Sequence, residues 1–454
     1  MPGRLEFAMR FTRPTAHRVP DGSPMRLLVV GDFSASSVTP RPPLASRPTH
    51  RVDADNFDQL MTRLSPRLIL AAGELDFSEL DEFHPDSLYR RLDVFQALRQ
   101  ARGNPAAGHD DLLGGLLGKP ADAGHDASLP PTKAALTGID ALIHNIAAPS
   151  VVQDRSAQTA SYLAAVDTAI AEQMRKILHD PAFQVLESAW RGVQWLISSL
   201  ELDDDLQLHL LDVSRDELLA DIVAAQGQLT QTGLHRALAD RWRNLPDGES
   251  WSLLCGLYAF GASDTDIGLL AALGVIASQA GGPFVATAEP VLAGGDAMAL
   301  AGWNALRGSE AAPWIGLALP RILLRLPYGR KSDPIVSFGF EEFGPGEPAH
   351  EELLWGHPSL AAALLIGRAF TARGWKMEPG DEREIGDLPA YTFEKHGERE
   401  MQACAEFYLG EARATEMLAN GLIPLLSHRK RNAVSVMQFQ SVAAPSQALS
   451  GPWR

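Results

Sequence analysis

A mixed α/β fold, with sheets flanked by helices, is the class that three patterns in the sequence predict. Apolar runs of strand length, such as residues 26–30 (RLLVV) and 284–288 (FVATA), alternate with segments whose apolar residues recur every three or four positions. Residues 102–131 shift to Gly, Ala, Asp and Pro and read as a linker, which divides the chain into a short first section and a longer second one. At 454 residues the chain exceeds one typical core, so two or three domains are expected.

The segment 180–200 (DPAFQVLESAWRGVQWLISSL) organises the rest. Asp180 suits a helix N-cap and Pro181 the first turn. Phe183, Leu186, Trp190, Val193, Ile197 and Leu200 then draw one apolar stripe. Burying each large side chain is worth ~1.5–3 kcal/mol, so the stripe must face a core or a partner helix. Trp190 and Arg191 are followed by Gly192, and glycine inside a helix costs about 1 kcal/mol relative to alanine. A close backbone approach at Gly192 would explain its presence.

Composition excludes several classes. Hydrophobic residues make up 45% and charged residues 21%, the balance of an ordinary globular chain. A formal net charge of −16 argues against nucleic acid or an anionic membrane as partner. Cys255 and Cys404 stand far apart in no ligand-like spacing, which predicts a reducing compartment. No apolar run is long enough to span a bilayer, and the N-terminus lacks the apolar core of a signal peptide. The expected localisation is cytoplasmic, without membrane insertion.

In the first section, Leu5, Phe7, Met9 and Phe11 alternate with Glu6, Ala8 and Arg10 as a half-buried strand. Residues 26–30 form a buried strand turned out at Gly31-Asp32. No glycine-rich fingerprint follows, and the Pro-rich run 40–48 stands where a nucleotide site needs a helix. A helix on Phe57, Leu60, Met61 and Leu64 precedes strands at 67–71 and 75–77. Residues 81–86 then open a helix carrying Leu88, Leu92, Phe95 and Leu98. This order of strand, helix, strand, helix reads as a compact α/β unit. Asp81, Glu82, His84 and Asp86 lack a second ligand cluster, so they read as a solvated helix entry rather than a metal site. Residues 111–118 are a short apolar island, either a docking peptide or the end of the first module. The dipeptides His109-Asp110 and His179-Asp180 read as helix boundaries, outside any four-ligand metal pattern.

In the second section, Leu163, Val166, Ile170, Met174 and Ile177 mark a helix paired with the 180–200 helix. Strands are expected at Leu206, Leu208 and Leu210, at 252–260 and at 284–288, with a capping box at Ser214 and Glu217 and a small-residue helix at 268–278. Residues 314–343 are broken by Pro320 and Pro327 and turned at Tyr328-Gly329, with 335–340 extended. Arg321 and Arg325 lie within an apolar run and are expected to pair with Glu341 or Glu342, since an unpaired buried charge is costly. They could instead bind a phosphate or substrate acid, but no nucleophile or base stands beside them. Residues 353–356, including Trp355, read as a turn, and 360–370 as a helix. Residues 411–420 form a short helix stopped by Gly421. A second terminal strand at 433–439, with Val434, Val436 and Phe439, precedes a tail of Pro, Ser and Gly.

Two sets of blocks carry a resemblance. Residues 173–197 (QMRKILHDPAFQVLESAWRGVQWLI), 283–294 (PFVATAEPVLAG), 314–343, 386–393 (GDLPAYTF) and 421–426 (GLIPLL) resemble the large contractile-sheath subunit (TssC/VipB-like) of the bacterial type VI secretion system. Trp190, Arg191, Gly192, Arg321, Arg325, Tyr328, Glu341 and Glu342 fall on these signature stretches, and Trp355 on the block 353–356, which resembles the same subunit. Residues 25–34 (MRLLVVGDFS), 50–61 (HRVDADNFDQLM) and 74–102 resemble the small subunit (TssB/VipA-like). The tandem order implies a fusion, divided as 1–101, a linker 102–144, and 145–454.

The resemblance implies an interlocked sheath core and a structural subunit, without catalysis or cofactor. It implies self-assembly into a helical polymer around an inner-tube (Hcp-like) protein, contact with baseplate components, and contraction that drives effector delivery. Strands 5–11 and 433–439 would pair with neighbouring protomers. The helix 411–420 would face the inner tube through Glu411 and Glu416, with Ala414 replacing a further acid of that motif. Two departures stand out. The segment before the helix pair, where the family carries the helix recognised by an AAA+ unfoldase (ClpV-like), is reduced, which bears on recycling. The family's Pro-Thr-Glu element near Cys404 is absent. Two further readings stay open: a non-polymerising sheath-associated adaptor or cap, and an intracellular enzyme with only a fold-level likeness.

Overall fold

The computed structural model describes residues 22–35, 41–103, 155–240, 250–294, 300–344 and 346–453, with the side chains of 155–159 left aside. The expected strand at 5–11, the apolar island 111–118 and His109-Asp110 lie outside the described residues.

The first section contributes β1 (Met25–Gly31), β2 (His50–Val52), α1 (Phe57–Leu64), the hairpin β3 (Arg67–Leu70) and β4 (Gly73–Asp76), α2 (Pro85–Arg91) and α3 (Gln96–Gly103). The helix expected from residue 86 onwards is broken: Leu92 is extended, and a 3-10 turn at Asp93–Phe95 redirects the chain into α3. The break lets Leu88, Phe95 and Leu98 all reach the core, which a straight helix of that spacing also offers, so local pattern does not reveal it.

The second section opens with the pair α4 (Arg155–Leu178) and α5 (Pro181–Ser199). Asp180 caps α5, its carboxylate accepting from the amides of Ala182 and Phe183, and Pro181 occupies the first turn. Then come β5 (Leu206–Asp212), α6 (Arg215–Ala224), β6 (Leu253–Phe260), α7 (Asp264–Ala280), β7 (Phe284–Ala288), α8 (Ala301–Arg307) and β8 (Ile315–Leu319). Ser214 and Glu217 form both halves of the capping box that starts α6. The chain continues through β9 (Ile322–Leu323), β10 (Trp355–Gly356), α9 (Pro358–Arg373), β11 (Glu384–Ile385), the hairpin β12 (Thr392–Lys395) and β13 (Glu398–Met401), α10 (Glu411–Ala419), β14 (Ile423–Ser427) and β15 (Val434–Val436).

One sheet of nine strands, in the order β11-β15-β14-β8-β7-β6-β1-β5-β2, joins both sections. Its centre, from β14 to β5, is parallel, while β2 and β15 run antiparallel to it and β11 pairs antiparallel with β15. The compact α/β unit expected of the first section does not form: β1 lies between β5 and β6, with Val29 opposite both Leu210 and Cys255. The physical reason is that β1 is apolar on both faces, as strands of parallel sheets are, and needs helical cover on each side. Leu27 and Val29 pack in the core that holds Trp190 of α5 and Leu360 of α9, and Leu28 and Val30 pack with Leu254, Leu270 and Ile276 on the other face.

Three smaller expectations change. Residues 335–340 form bends rather than a strand, residues 355–356 form β10 against β9 rather than a turn, and the terminal tail folds back with Leu449 and Trp453 buried. Among the described residues no helix is long and apolar enough to cross a membrane.

Candidate functional site

Four of the signature residues, Arg191, Arg325, Tyr328 and Glu342, converge on a buried ion network where α5 meets the segment after β9. Glu187 and Arg191 are one turn apart on α5, and Arg191 Nε donates to Glu187 Oε1 at 2.7 Å. Arg325 Nε donates to the same oxygen at 3.0 Å, and its other two nitrogens clamp Glu342 at 2.8 and 3.0 Å. Arg191 Nη2 donates to the Tyr328 hydroxyl at 2.9 Å, and the Arg325 guanidinium lies 4.2 Å from the Tyr328 ring centre. Glu187 and Glu342 are fully buried, so their charges depend on the two arginines. Burial pushes the Glu342 carboxyl up, but Arg325, His179 and the Tyr328 amide outweigh it and hold the group at about 2.

Sequence reasoning placed part of this network. Arg325 pairs with Glu342 as expected, but Arg321 does not pair with either expected glutamate. It binds Glu406 instead, through its amide and its guanidinium Nε, both at 2.8 Å. Glu341 stays exposed, its carboxylate accepting from the Arg330 amide at 3.3 Å and its carbonyl from Arg175 at 2.7 Å. Trp355 is buried, its indole donating to His350 O and its carbonyl accepting from Ser188, each at 2.9 Å. A Cβ placed on Gly192 would lie 2.4 Å from Leu360 Cδ1, so α5 and α9 approach closely there. Glu187 was missed; its spacing of four from Arg191 was the available signal.

A second network closes the carboxyl ends of β1 and β5, where open α/β sheets usually take a ligand. Asp212 accepts from the amides of Phe33 and Ser34 at 2.8 and 3.2 Å and from the Ser34 hydroxyl at 2.7 Å. Arg41 inserts among Asp32, Asp212 and Glu217, and Arg47 reaches Glu217 at 2.7 Å and Asp212 O at 2.8 Å. Burial pushes Glu217 up, but the hydrogen bond from Arg47, the Ser214 amide and the Arg41 charge bring it to about 2. The chain's own guanidinium groups thus fill the crevice, and they again join first section to second.

Burial pushes the Cys255 thiol up to about 12 and the Cys404 thiol up to about 11, against the thiolate form. Among the described residues no group of three or more His, Cys, Asp or Glu side chains is placed to hold a metal ion.

Near the C-terminus, α10 buries Ala414 and Met417 and leaves Glu411 and Glu416 exposed. Glu416 is ion-paired with Arg413 at 2.7 Å. The strand expected to reach a neighbouring protomer is shorter than expected, and β15 is hydrogen-bonded to β14 on one side and β11 on the other, with Val434 and Val436 buried. Phe439 is buried beyond its end. Among the described residues both edges of β15 are taken, and the terminal strand on this side of the sheet is β11.

Comparison with known proteins accounts for both sections. The family model for the type VI secretion system VipA protein matches residues 21–107. The VipB (EvpB) tail sheath N-terminal domain matches residues 160–300 and 294–443. The type VI secretion system sheath protein TssC1 of Pseudomonas aeruginosa is 30% identical over 347 residues, which covers 70% of this chain and 69% of that protein. The second ion network and a shared sheet therefore join segments that match two different sheath proteins, and the chain belongs to the type VI secretion sheath family as a TssB/TssC-like fusion.

Proposed function

We propose that this chain is a complete sheath protomer, which polymerises with itself into a helical tube around an inner tube and contracts to deliver effectors. The observation that carries the reading is the position of β1: the section matching VipA supplies a strand flanked on both sides by strands of the section matching VipB. A repeating unit assembled in this way needs no separate small subunit. Contraction would move the polymer between two packings of the same protomer, the extended one metastable and the contracted one lower in energy. The chain divides as 1–101 and 145–454, joined by the linker 102–144, and acts without catalysis or cofactor in the cytoplasm.

In this reading the strand at 5–11 pairs with a neighbouring protomer, since sheet extension links repeating subunits with main-chain hydrogen bonds. For residues 433–439, the same exchange requires β15 to give up its β11 partner. Glu411 and Glu416 on α10 face an Hcp-like inner tube, and baseplate components receive one end of the polymer. The sequence before α4 is shorter than the family's, which bears on recycling by an AAA+ unfoldase of the ClpV type. Electron microscopy of the purified full chain tests the proposal: tubes of regular width are expected. A monodisperse particle of one or a few chains under all assembly conditions would overturn it in favour of a sheath-associated adaptor or cap.

A further inference from the structure

Residues 328–342 form a surface loop whose ends touch. Tyr328 N donates to Glu342 Oε2 at 2.7 Å, and Glu342 N donates to Tyr328 O at 2.9 Å. This base is fixed to the second section through Arg325 and through Arg175, which donates to the carbonyls of Glu341 and Glu342 at 2.7 and 3.1 Å. The body of the loop lies against the first section. The Asp86 carboxylate accepts from the amides of Val336 and Ser337 at 3.0 and 2.9 Å, one oxygen to each. Phe338 stands 4.9 Å from the Tyr89 ring, and His84 meets the Tyr328 ring edge-on at 5.1 Å.

Two details single out Asp86. His84 Nδ1 already accepts from the Asp86 amide at the start of α2, so the carboxylate is not spent on capping its own helix. Val336 is 89% exposed, so its side chain does not seat the loop; its amide does. The hydrogen bonds that attach the loop body go to Asp86, whereas those of β1 go to β5 and β6; Phe338 and Phe340 of the loop are buried in the core that also holds Leu27 and Val29.

We propose that the loop 328–342 is a releasable clasp between the two sections, and that Asp86 is the positioning residue on which it closes. The sheet fastens the sections permanently through β1, while the clasp opens and closes α2 against the second section without disturbing the sheet.

Hydrogen exchange on the full-length chain tests this, with tryptic cleavage after the exposed Arg330 and Lys331 as second readout. Asp86→Ala is expected to speed deuterium uptake across 332–343 by about tenfold or more, while a β1 peptide exchanges as in the unaltered chain. Val336→Pro, which removes one donor and leaves Asp86 in place, is expected to act in the same direction and serves if Asp86→Ala fails to fold. Unchanged uptake at 332–343 in the folded variants would overturn the proposal. So would β1 and the loop opening together, since the loop would then belong to one cooperative unit.

Discussion

The Trp190 indole nitrogen donates to the Phe33 carbonyl at 2.9 Å, across 157 positions of sequence. Trp190 belongs to α5 of the section that matches VipB, and Phe33 follows β1 in the section that matches VipA. The rings of Phe33 and Phe57 stand edge-on to Trp190 at 5.4 and 5.7 Å, so the tryptophan is seated in a socket made by the first section. A buried aromatic with its polar handle satisfied is a costly element to separate.

Trp190→Phe should therefore destabilise the whole chain. It leaves the buried Phe33 carbonyl without its donor and opens a void, together about 2–4 kcal/mol. Chemical denaturation followed by probes in each section should show one shared transition at lower denaturant. A first section that melts separately would contradict the joint core.

Arg325→Met removes the cation shared by Glu187 and Glu342 and should cost about 3–5 kcal/mol, because buried Glu342 loses its clamp and buried Glu187 keeps only Arg191. Changing both glutamates to Gln in the same chain should recover part of the loss by removing the orphaned charges. No recovery in that triple variant would show that packing of the arginine, rather than charge pairing, sets the cost.

Acid should weaken the protein in a defined window. Glu342 and Glu217 are both held at about 2 in the folded chain against an ordinary value of 4.5. Groups with depressed folded values contribute stability that is present above 4.5 and lost as pH falls towards 2. Denaturation midpoints measured from pH 5 to 2.5 should fall steadily, and Glu342→Gln should flatten that slope while lowering stability at pH 7. An unchanged slope in Glu342→Gln would remove this residue from the account.

Local signals were legible where one element decides them. Asp180 at the start of α5, the Ser214 and Glu217 box and the glycine at the α5–α9 crossing could all be anticipated from neighbouring residues. The insertion of β1 between β5 and β6 could not, because strand order in a parallel sheet is set by crossovers and leaves no mark on the strand itself. The partner of Arg321 was missed for a related reason. Glu406 lies 85 positions away, and an ion pair at that separation has no periodic trace, whereas the nearby Glu341 and Glu342 invited a local choice. Asp86 read as part of a solvated helix entry and Glu187 drew no expectation of a partner, yet each is held by a segment from elsewhere in the chain.

The two acids proposed to meet the inner tube are not equivalent. Glu416 shares its charge with Arg413 one turn back, both about half exposed, and so presents a neutralised pair. Glu411 begins the helix with no ion pair among the described residues, and an acid there also suits the helix dipole. Surface charges of this kind contribute ~0–1 kcal/mol each, but a tube repeats the contact at every protomer and multiplies the sum. Glu411→Lys alone should therefore weaken co-assembly with the inner tube more than Glu416→Lys alone, and the double reversal should abolish it. Both side chains are exposed, so circular dichroism and melting of each variant should match the unaltered chain to within ~0.5 kcal/mol. Sedimentation with purified inner-tube protein reads the outcome. Tube-filled sheaths of normal yield from the double variant would remove α10 from the contact and leave its acids as solvent-facing charges.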